Sequence, residues 1–289
     1  MISLSFKQQS IETTTPFQFK ENTLYIPENK VYDEPIKIDL LDEHIQSLKI
    51  IVGKLTQANI ILDATFLNSA GSSYDIELIL EPSTHVKYLI VGEIHSKQSK
   101  LNHHFSLKKD ANLKLIGAFI SYHLDAFLNI SLLEQGSSVD IKTITLTSQD
   151  HHQNLDATIT HYAKDTFGDM THVGIVNEQA SMTINGVGKI EKGMKNANAF
   201  QTLKGIILSD QAVCEVNPML LIDEFDVKAG HGATIGKIEA DQLYYLMSRG
   251  LTKKEAEKLI IHGYLKPIID EMDDETLKDR FIKLTNERL

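Results

Sequence analysis

One fold-defining segment reads Ser137-Ser-Val-Asp-Ile-Lys-Thr-Ile-Thr-Leu-Thr147. It begins with a small residue in a polar turn, and its apolar side chains then fall on alternate positions, starting with Val139 and Ile141. A period of two in a run rich in Val, Ile and Thr is typical of a β-strand with one buried face. The segment therefore predicts a strand whose first apolar side chains point into a core.

The same element recurs along the chain. A small residue is followed by apolar residues two and four positions later, and the first three copies start about 26 residues apart. A small residue fits a tight corner, and stacked rungs of this kind form a β-helix. The copies start at Thr84, Ala111, Ser137, Ala180 and Ala212. The side chains expected to point inward are Val86, Leu113, Val139, Met182 and Cys214.

Strand periodicity alone also fits a β-sandwich with uneven turns. Near residue 238 the alternation gives way to helical spacing. The pattern therefore predicts a mainly β protein, with a solenoid or a sandwich over residues 35–237 and an α-helical segment over residues 238–289. The role of residues 1–34 stays open.

Three amphipathic helices are expected after residue 238. The first spans Asp241 to Arg249 and ends at Gly250, a typical C-cap residue. The second opens with a capping box formed by Thr252 and Glu255. Together the helices form either a docking module for a partner or a lid on the open end of the solenoid.

The second and third helices carry further local signals. Pro267 is expected to kink or divide the second helix, and Asp273 or Asp274 is expected to cap the third. The third helix also has Leu277 and Phe281 at helical spacing. The side chains that the second helix is expected to bury are Leu259, Ile260, Tyr264, Leu265 and Ile268.

The composition narrows the classes of function. A net charge of −10, without a cluster of Lys and Arg, argues against nucleic acid as the main partner. The N-terminus lacks the basic start and apolar core of a signal peptide, and no window has the roughly 18 apolar residues of a membrane span. We therefore expect a cytoplasmic protein without a membrane partner. The single cysteine, Cys214, can form no internal disulfide.

A long signature runs from Asp226 to Ala256. It contains His-Gly-Ala-Thr-x-Gly from His231, then Gln-Leu-x-Tyr-Leu, Ser-Arg-Gly-Leu and a helix with Glu-Ala. In this order the motifs resemble the C-terminal signature of the SufB/SufD family of iron–sulfur cluster assembly scaffolds. The segment 149–201, with a His-rich strand around His151 and His161, also resembles the family. The large N-terminal helical region common in that family has no counterpart, so a short member is expected.

The resemblance implies a right-handed parallel β-helix with a C-terminal helical segment. It also implies a non-catalytic scaffold that pairs with a second scaffold subunit and binds SufC, an ABC-type ATPase, through the helices. The chain has no Gly-x-x-x-x-Gly-Lys-Ser/Thr loop, so ATP hydrolysis is assigned to the SufC partner. The implied cargo is a transient iron–sulfur cluster shared with a partner chain, because one cysteine cannot supply four thiolates. Whether a flavin binds stays open.

Within the family the sequence resembles SufD more than SufB. Gly230 and Gly232 flank His231, where the SufB pattern has an acidic residue beside the histidine. Ala229 stands where SufD proteins often have a cysteine, and the sulfur-accepting cysteine of SufB has its rough match near Leu203. The leading interpretation is a SufD-like subunit paired with a SufB-like chain. The alternative within the family is a homodimeric minimal scaffold.

His231 is the candidate cluster or interface residue and the candidate metal ligand. An imidazole in a glycine-flanked turn is clear of neighbouring side chains and suits a neutral nitrogen ligand to iron. The alternative is a turn histidine hydrogen-bonded to backbone. Cys214 is the weaker candidate, because a buried cysteine usually behaves as a small hydrophobe.

Two pairs of adjacent histidines, His103-His104 and His151-His152, invite comparison with metal sites. Adjacent residues on a strand point to opposite faces, so neither pair can chelate one ion while extended. Solvated or rung-stacking histidines are the favoured interpretation.

The expected ATPase-docking residues are Ser248, Arg249, Gly250, Leu251 and Glu255, at the junction of the first two helices. Helix capping alone explains the glycine at position 250. No structural requirement of this kind explains Arg249, whose guanidinium is suited to bind a carboxylate across an interface. The docking role follows mostly from the resemblance. The alternative for Arg249 is an exposed salt bridge.

A carbohydrate-active β-helix enzyme, such as a polysaccharide lyase, is the alternative of another class. Such enzymes are commonly secreted and use acidic clusters on one face. The sequence has neither a signal peptide nor an Asp cluster in the rungs. A plain structural solenoid is the remaining alternative.

Overall fold

The structure is a computed structural model that describes residues 2–7, 10–11, 16–40, 47–66, 71–272 and 274–289. Within these residues it contains nineteen strands and three helices. The strands are β1 (Ile2–Lys7), β2 (Ser10–Ile11), β3 (Gln18–Lys20), β4 (Thr23–Ile26), β5 (Ile36–Leu40), β6 (Ser47–Val52), β7 (Gln57–Phe66), β8 (Ser72–Leu80), β9 (His85–Ile94), β10 (Ser99–Leu107), β11 (Asn112–Phe119), β12 (His123–Leu132), β13 (Ser138–Thr147), β14 (His152–His161), β15 (Phe167–Val176), β16 (Ser181–Ile190), β17 (Asn198–Ile207), β18 (Val213–Ile222) and β19 (Lys228–Lys237). The helices are α1 (Ala240–Ser248), α2 (Lys253–Ile269) and α3 (Glu275–Arg288).

The strands form two sheets that alternate along the chain. From β4 onward, odd-numbered strands belong to a ten-stranded sheet and even-numbered strands belong to a nine-stranded sheet. Each strand pairs in parallel with the strand two places away in sequence, as β13 does with β11 and β15. One turn of the coil thus adds one strand to each sheet. The predicted parallel β-solenoid is confirmed, and the alternative of a β-sandwich is wrong.

The N-terminal strands belong to the same two sheets. β1 pairs in parallel with β5, and β4 pairs in parallel with β6, so both sheets begin before residue 35. At this end β2 lies antiparallel on β1, and β3 lies antiparallel on β4. Short antiparallel strands of this kind end a sheet and discourage further pairing at its edge.

The solenoid interior is filled by alternate apolar side chains. The five residues expected to point inward are all buried, with exposed fractions of at most 9%. Cys214 is the most exposed of the five, because it lies on the last strand of its sheet. The prediction of inward-facing residues is therefore confirmed.

Small buried residues stack at the corner that precedes the strands of the ten-stranded sheet. Thr84, Ala111 and Ser137 are completely buried there, and each follows a residue with positive φ. The left-handed residue turns the chain sharply, which leaves little room for the side chain that comes next. The hydroxyls of Thr84 and Ser137 donate to main-chain oxygens of Glu81 and Glu134, at 2.9 and 2.7 Å, and so satisfy carbonyls of the turn.

The other two small residues belong to a second corner. Ala180 and Ala212 precede β16 and β18, which are strands of the nine-stranded sheet. The prediction of a single repeated element is therefore wrong. Each turn of the solenoid has two strands and hence two corners. At the second corner Ala180 and Ala212 are small, whereas Tyr122 and His151 stand at the same place on earlier turns.

Helices α2 and α3 lie on the outer face of the ten-stranded sheet. Their apolar side chains form a second core with outward-facing residues of that sheet, among them Ile116 and Leu146. Lys114 and Lys142 of the sheet donate to the carboxylate of Glu271, which follows α2, at 2.6 and 3.2 Å. Because the helices cover a sheet face rather than the end of the solenoid, the alternative of a lid is wrong.

The predicted boundaries of the first two helices are confirmed. Gly250 follows the C-cap residue Arg249 with φ of 98°, a left-handed conformation that glycine adopts without strain. Thr252 and Glu255 form a complete capping box. α2 continues through Pro267, which lies two residues before its last residue, so the helix is not divided there.

The third helix begins where one of the two predicted caps lies. The side chain of Asp274 accepts a hydrogen bond of 2.9 Å from the main-chain nitrogen of Leu277. The alternative cap, Asp273, lies outside the described residues. Among the helices of the described chain, none has the length and apolar composition needed to cross a membrane.

The buried face of α2 differs in part from the prediction. Leu265 and Ile268 are buried as expected, but Leu259 is 53% exposed, and Ile260 and Tyr264 are half-buried. Ile261 takes the core position instead. The buried face runs through residues 261, 265 and 268, at spacings of about four and three that keep side chains on one side of a helix.

Candidate functional site

The C-terminal end of the solenoid is open and apolar. β18 and β19 are the last strands of their sheets, and within the described residues no further strand pairs with their outer edges. Leu221 and Ile235 on these strands are about half exposed, and Phe225 between them is fully exposed. An apolar strand edge without a partner is a template for another chain. This end contrasts with the N-terminal end, where short antiparallel strands finish both sheets.

His231 lies on the edge strand of this open end. It belongs to β19 and pairs in register with Gln201 of β17. The prediction of a glycine-flanked turn is therefore wrong. Gly230 and Gly232 both lie within the strand, because pairing with β17 keeps the backbone extended through all three residues. The side chain of His231 is exposed.

The register places His231 on the inward side of the coil. In the ten-stranded sheet, Ile141, Met170, Gln201 and His231 lie in register on successive strands, and His231 is on the edge strand. The first three side chains are at most 3% exposed. In-register parallel strands stack their side chains on the same face. His231 is therefore the last residue of a buried column and is exposed because it lies at the end of that column.

Cys214 lies on the inward side of the other edge strand. It is in register with the buried Met182. Burial, together with the nearby charge of Glu215, raises the pKa of the Cys214 thiol to about 11. The thiol is thus protonated at neutral pH, which makes it a poor metal ligand and a poor nucleophile in this state.

A glycine on the facing sheet makes room for the Cys214 thiol. A Cβ atom added at Gly205 of β17 would lie 2.6 Å from the Cys214 sulfur, so the two sheets approach closely at this point. The two predicted site residues, His231 and Cys214, thus both belong to the end of the solenoid, one on each sheet.

The positions related to SufB and SufD cysteines offer no thiol here. Leu203 is buried on the inward side of β17, and Ala229 lies on β19 two residues before His231. Among the described residues, no group of three or more His, Cys, Asp and Glu side chains is arranged to hold a metal ion. On the inward positions of the last two strands, the possible ligands are the His231 ring and the Cys214 thiol.

Gln201 is a residue of this end that the sequence analysis missed. It lies directly below His231, is 3% exposed, and donates from Nε2 to the main-chain oxygen of Met219 at 2.8 Å. The sequence did contain a signal for this residue. Gln201 occupies an inward strand position between Ala199 and Leu203, where the alternating pattern predicts an apolar residue.

His103 and His104 point to opposite faces of β10, as predicted, whereas His151 lies just before β14. His103 is completely buried, whereas His104 is about half exposed and lies 3.5 Å from the carboxylate of Asp75. His151 is buried and stacks on the ring of Tyr122 with 4.1 Å between ring centroids. The rung-stacking and solvated interpretations are confirmed for these residues.

At the junction of α1 and α2, Arg249 has no ion pair among the described residues. The guanidinium of Arg249 lies over the ring of Tyr245, 5.3 Å from its centroid, and no described carboxylate lies within salt-bridge distance of it. Ser248 donates to the main-chain oxygen of Tyr245 at 2.7 Å, and Leu251 is half-buried. Arg249 is therefore free to meet a carboxylate on a partner.

Glu255 is committed to the helix cap. The hydroxyl and the main-chain nitrogen of Thr252 donate to its carboxylate at 2.7 and 2.8 Å, and these hydrogen bonds lower the pKa of Glu255. Beside the cap, Tyr244 and Met247 of α1 are exposed. An apolar patch beside an exposed arginine is suited to a protein partner.

Residues 42–264 match the family described as SUF system FeS cluster assembly, SufBD core domain. The chain is 39% identical over 159 residues to the iron-sulfur cluster assembly protein SufD of Bacillus subtilis, a match that covers 55% of this chain and 36% of that protein. It is 24% identical over 202 residues to SufD of Escherichia coli, covering 66% and 47%. It is 21% identical over 259 residues to an iron-sulfur cluster assembly SufBD family protein of Staphylococcus epidermidis, covering 86% and 56%.

These matches span between 36% and 56% of the length of the three curated relatives. The family match covers both sheets from β6 onward, the open end with His231, and the junction at Arg249. The parallel solenoid agrees with the fold that the resemblance implied. Because the match extends over far more than half of its length, the chain belongs to the SufBD family of SUF-system iron–sulfur cluster assembly proteins.

Proposed function

We propose that the chain is a non-catalytic, SufD-like scaffold subunit on which an iron–sulfur cluster is assembled as cargo. The observation that carries the proposal is the position of His231, at the end of a buried column and on an open apolar edge. A partner seated on that edge encloses the imidazole between two chains. The ring then supplies a nitrogen ligand at the interface.

The rest of the ligand set comes from the partner. An iron–sulfur cluster commonly takes four protein ligands, mostly thiolates. Cys214 is protonated and buried, so His231 is the ligand that this chain supplies most readily. A site shared between two chains loses ligands when the chains move apart, and this suits a scaffold that must release its product.

A SufB-like chain is the proposed occupant of the open end. The exposed edges of β18 and β19 support pairing with another solenoid, because each sheet can continue into a second chain. A second copy of this chain is the alternative occupant. The subunit composition of the purified assembly separates the two, since a homodimer has a single kind of scaffold chain.

A SufC-like ATPase is the proposed partner of the helical segment. None of the side chains of α1, all of which the structure describes, is buried, whereas α2 and α3 bury several each. A helix with exposed aromatic and apolar residues and a free Arg249 at its end supports docking on this side. A movement of the bound ATPase would be transmitted from α1 to β19 at the open end, because only two residues separate these elements.

The test is the iron and acid-labile sulfide content of the complex, purified anaerobically with its natural partners. His231→Ala is expected to lower both sharply at matched subunit ratios, because the ligand is lost while the buried cores are untouched. His104→Ala is the control, since His104 is also a partly exposed strand histidine but lies far from the end, on β10. It is expected to match the wild type.

Equal cluster content in the wild type and His231→Ala removes His231 from the site. A His231→Ala complex that fails to assemble makes this residue part of the subunit interface rather than a ligand. A fall of the same size in His104→Ala shows a general loss of integrity instead of a lost ligand.

A further inference from the structure

Gln201 crosses the interior of the solenoid directly below the open end. It starts from β17 of the ten-stranded sheet, and its Nε2 donates to the main-chain oxygen of Met219, on β18 of the nine-stranded sheet, at 2.8 Å. A carbonyl oxygen can only accept a hydrogen bond, so this contact decides which end of the amide carries the nitrogen. The amide oxygen, Oε1, is therefore the other end.

The crossing depends on a glycine in the nine-stranded sheet. A Cβ atom added at Gly188 of β16 would lie 2.9 Å from Nε2 of Gln201, closer than real side chains approach. The amide thus fits into a space that a larger residue at position 188 would fill. Its place is set by packing on two sheets, which holds Oε1 in a defined position.

Oε1 of Gln201 is buried and has no hydrogen-bond partner among the described residues. The next side chain on the inward column is His231, whose backbone pairs in register with that of Gln201. Neighbouring strands lie about 4.8 Å apart, so an imidazole on β19 is within reach of an amide on β17. A buried oxygen without a donor is unfavourable, and an imidazole N–H supplies the donor.

We propose that Gln201 is a positioning residue for His231: Oε1 accepts a hydrogen bond from Nδ1–H of the imidazole and leaves Nε2 unprotonated toward the open end. The proposal rests on the proposed role of His231 as a cluster ligand. A ligating histidine needs one nitrogen free and its ring orientation held, and both are usually set by an acceptor on the other nitrogen. Oε1 has no partner among the described residues, so this hydrogen bond forms when the His231 ring turns toward Gln201, and it needs no partner chain.

The first readout is the tautomer of His231 in the full chain, measured by NMR on ¹⁵N-labelled histidine at neutral pH, with the signal assigned by its loss in His231→Ala. The wild type is expected to show the Nδ1–H form. Gln201→Met keeps the length of the side chain but removes the acceptor, so the preference is expected to disappear.

A second glutamine provides the matched control. Gln153 is also buried in the solenoid, donates from Nε2 to the main-chain oxygen of Leu146 at 2.7 Å, and has an Oε1 without a partner among the described residues. It lies on β14, away from the open end. Gln153→Met is expected to leave the His231 tautomer unchanged. A change of the same size in both variants overturns the proposal.

The second readout is the apparent affinity of the purified complex for iron(II) in the presence of sulfide. Gln201→Met is expected to weaken it about 10- to 100-fold, as removal of such an orienting partner typically does, with Gln153→Met close to wild type. If His231→Ala lowers iron content while Gln201→Met changes neither tautomer nor affinity, the positioning role is overturned and the cluster role of His231 stands. If His231→Ala keeps its iron while Gln201→Met alters the tautomer, the contact stands and the proposed function fails.

If Gln201→Met does not fold, Gln201→Glu tests the positioning role of Gln201 instead. The glutamate keeps an acceptor oxygen at the same distance from the backbone, and it is expected to retain the Nδ1–H form of His231. A mixture of tautomers like that of a solvated histidine in Gln201→Glu overturns the proposal.

Discussion

The guanidinium of Arg280 lies 3.1 Å from the carboxylate of Asp63, joining the last helix to a strand near the start of the solenoid. Asp63 is buried. Burial alone would raise the pKa of its carboxyl, but hydrogen bonds from Thr65 and Arg280, with the charges of Arg280 and Lys37, hold the pKa below its usual value. The pair therefore stabilises the folded state at pH values above the ordinary pKa of aspartate. This contribution is lost as the pH falls through the lowered pKa of Asp63.

Arg280→Ala is expected to destabilise the chain. Removing one partner of a fully buried ion pair costs about 3–5 kcal/mol, and because Arg280 is partly exposed we expect a loss of about 2 kcal/mol. The free energy of unfolding in urea measures this. Lys283→Ala on the same helix is the control, since Lys283 and Glu287 form an exposed pair at 3.9 Å. Its effect is expected to stay within about 0.5 kcal/mol, and equal losses in the two variants would contradict the prediction.

Acid is expected to destabilise the solenoid through its interior histidines. Neither ring nitrogen of His103 has a partner among the described residues, and burial, with the nearby charge of His104, lowers the pKa of His103 to about 3. Because an unfolded histidine has a pKa of about 6.5, the unfolded state takes up protons first as pH falls. Stability is therefore lost below about pH 6.5, by about 2 kcal/mol per such histidine at pH 5. His172, with a pKa of about 3, acts in the same direction.

His103→Leu tests this directly. Leucine removes the titrating group and its two unpaired nitrogens, so we expect stability at pH 7 to be equal or higher and the loss between pH 7 and pH 5 to shrink by about 2 kcal/mol. His104→Leu is the matched control on the opposite, exposed face of the same strand. Urea unfolding at both pH values gives the comparison. An unchanged acid dependence in His103→Leu would show that another group causes it.

Gly205 is expected to tolerate no side chain. A Cβ atom there would lie 2.6 Å from the Cys214 sulfur and 3.3 Å from Cγ2 of Val216, so Gly205→Ala is expected to cost about 1–3 kcal/mol. In Gly236→Ala the added atom meets nothing within 4 Å, and the expected change is within about 0.5 kcal/mol. Thermal unfolding of the two variants measures the difference. Similar midpoints would mean that the sheets can move apart at Cys214.

Arg249→Ala is expected to weaken binding of a SufC-like ATPase about 10-fold or more, because an exposed arginine beside aromatic residues is typical of an interface hot spot. The fold is expected to stay intact, since Arg249 is exposed and outside the cores. Calorimetry against the purified ATPase measures the affinity. Lys266→Ala is the control, as Lys266 is an exposed cation further along α2. Equal affinity for Arg249→Ala and wild type would place the docking surface elsewhere.

The features predicted best are those that depend on neighbours in sequence. The capping box of Thr252 and Glu255 and the C-terminal glycine Gly250 involve residues within one helical turn, so their patterns are readable directly. The inward position of Val139 follows from alternation along a single strand. The conformation of His231 could not be predicted from its neighbours in sequence, because flanking glycines occur both in turns and in strands. Pairing with β17, about 30 residues earlier, made it a strand.

The amino-acid sequence by itself determined that the chain before about residue 238 forms strands, which side chains those strands bury, and where the first two helices begin, because alternation and capping act over a few residues. Only the tertiary structure decided that His231 ends the inward column and that Gln201 lies beneath it and reaches β18 past Gly188. Those relationships join residues on different turns and different sheets. Their alignment depends on the length of every intervening corner, so a pattern along one strand cannot contain them.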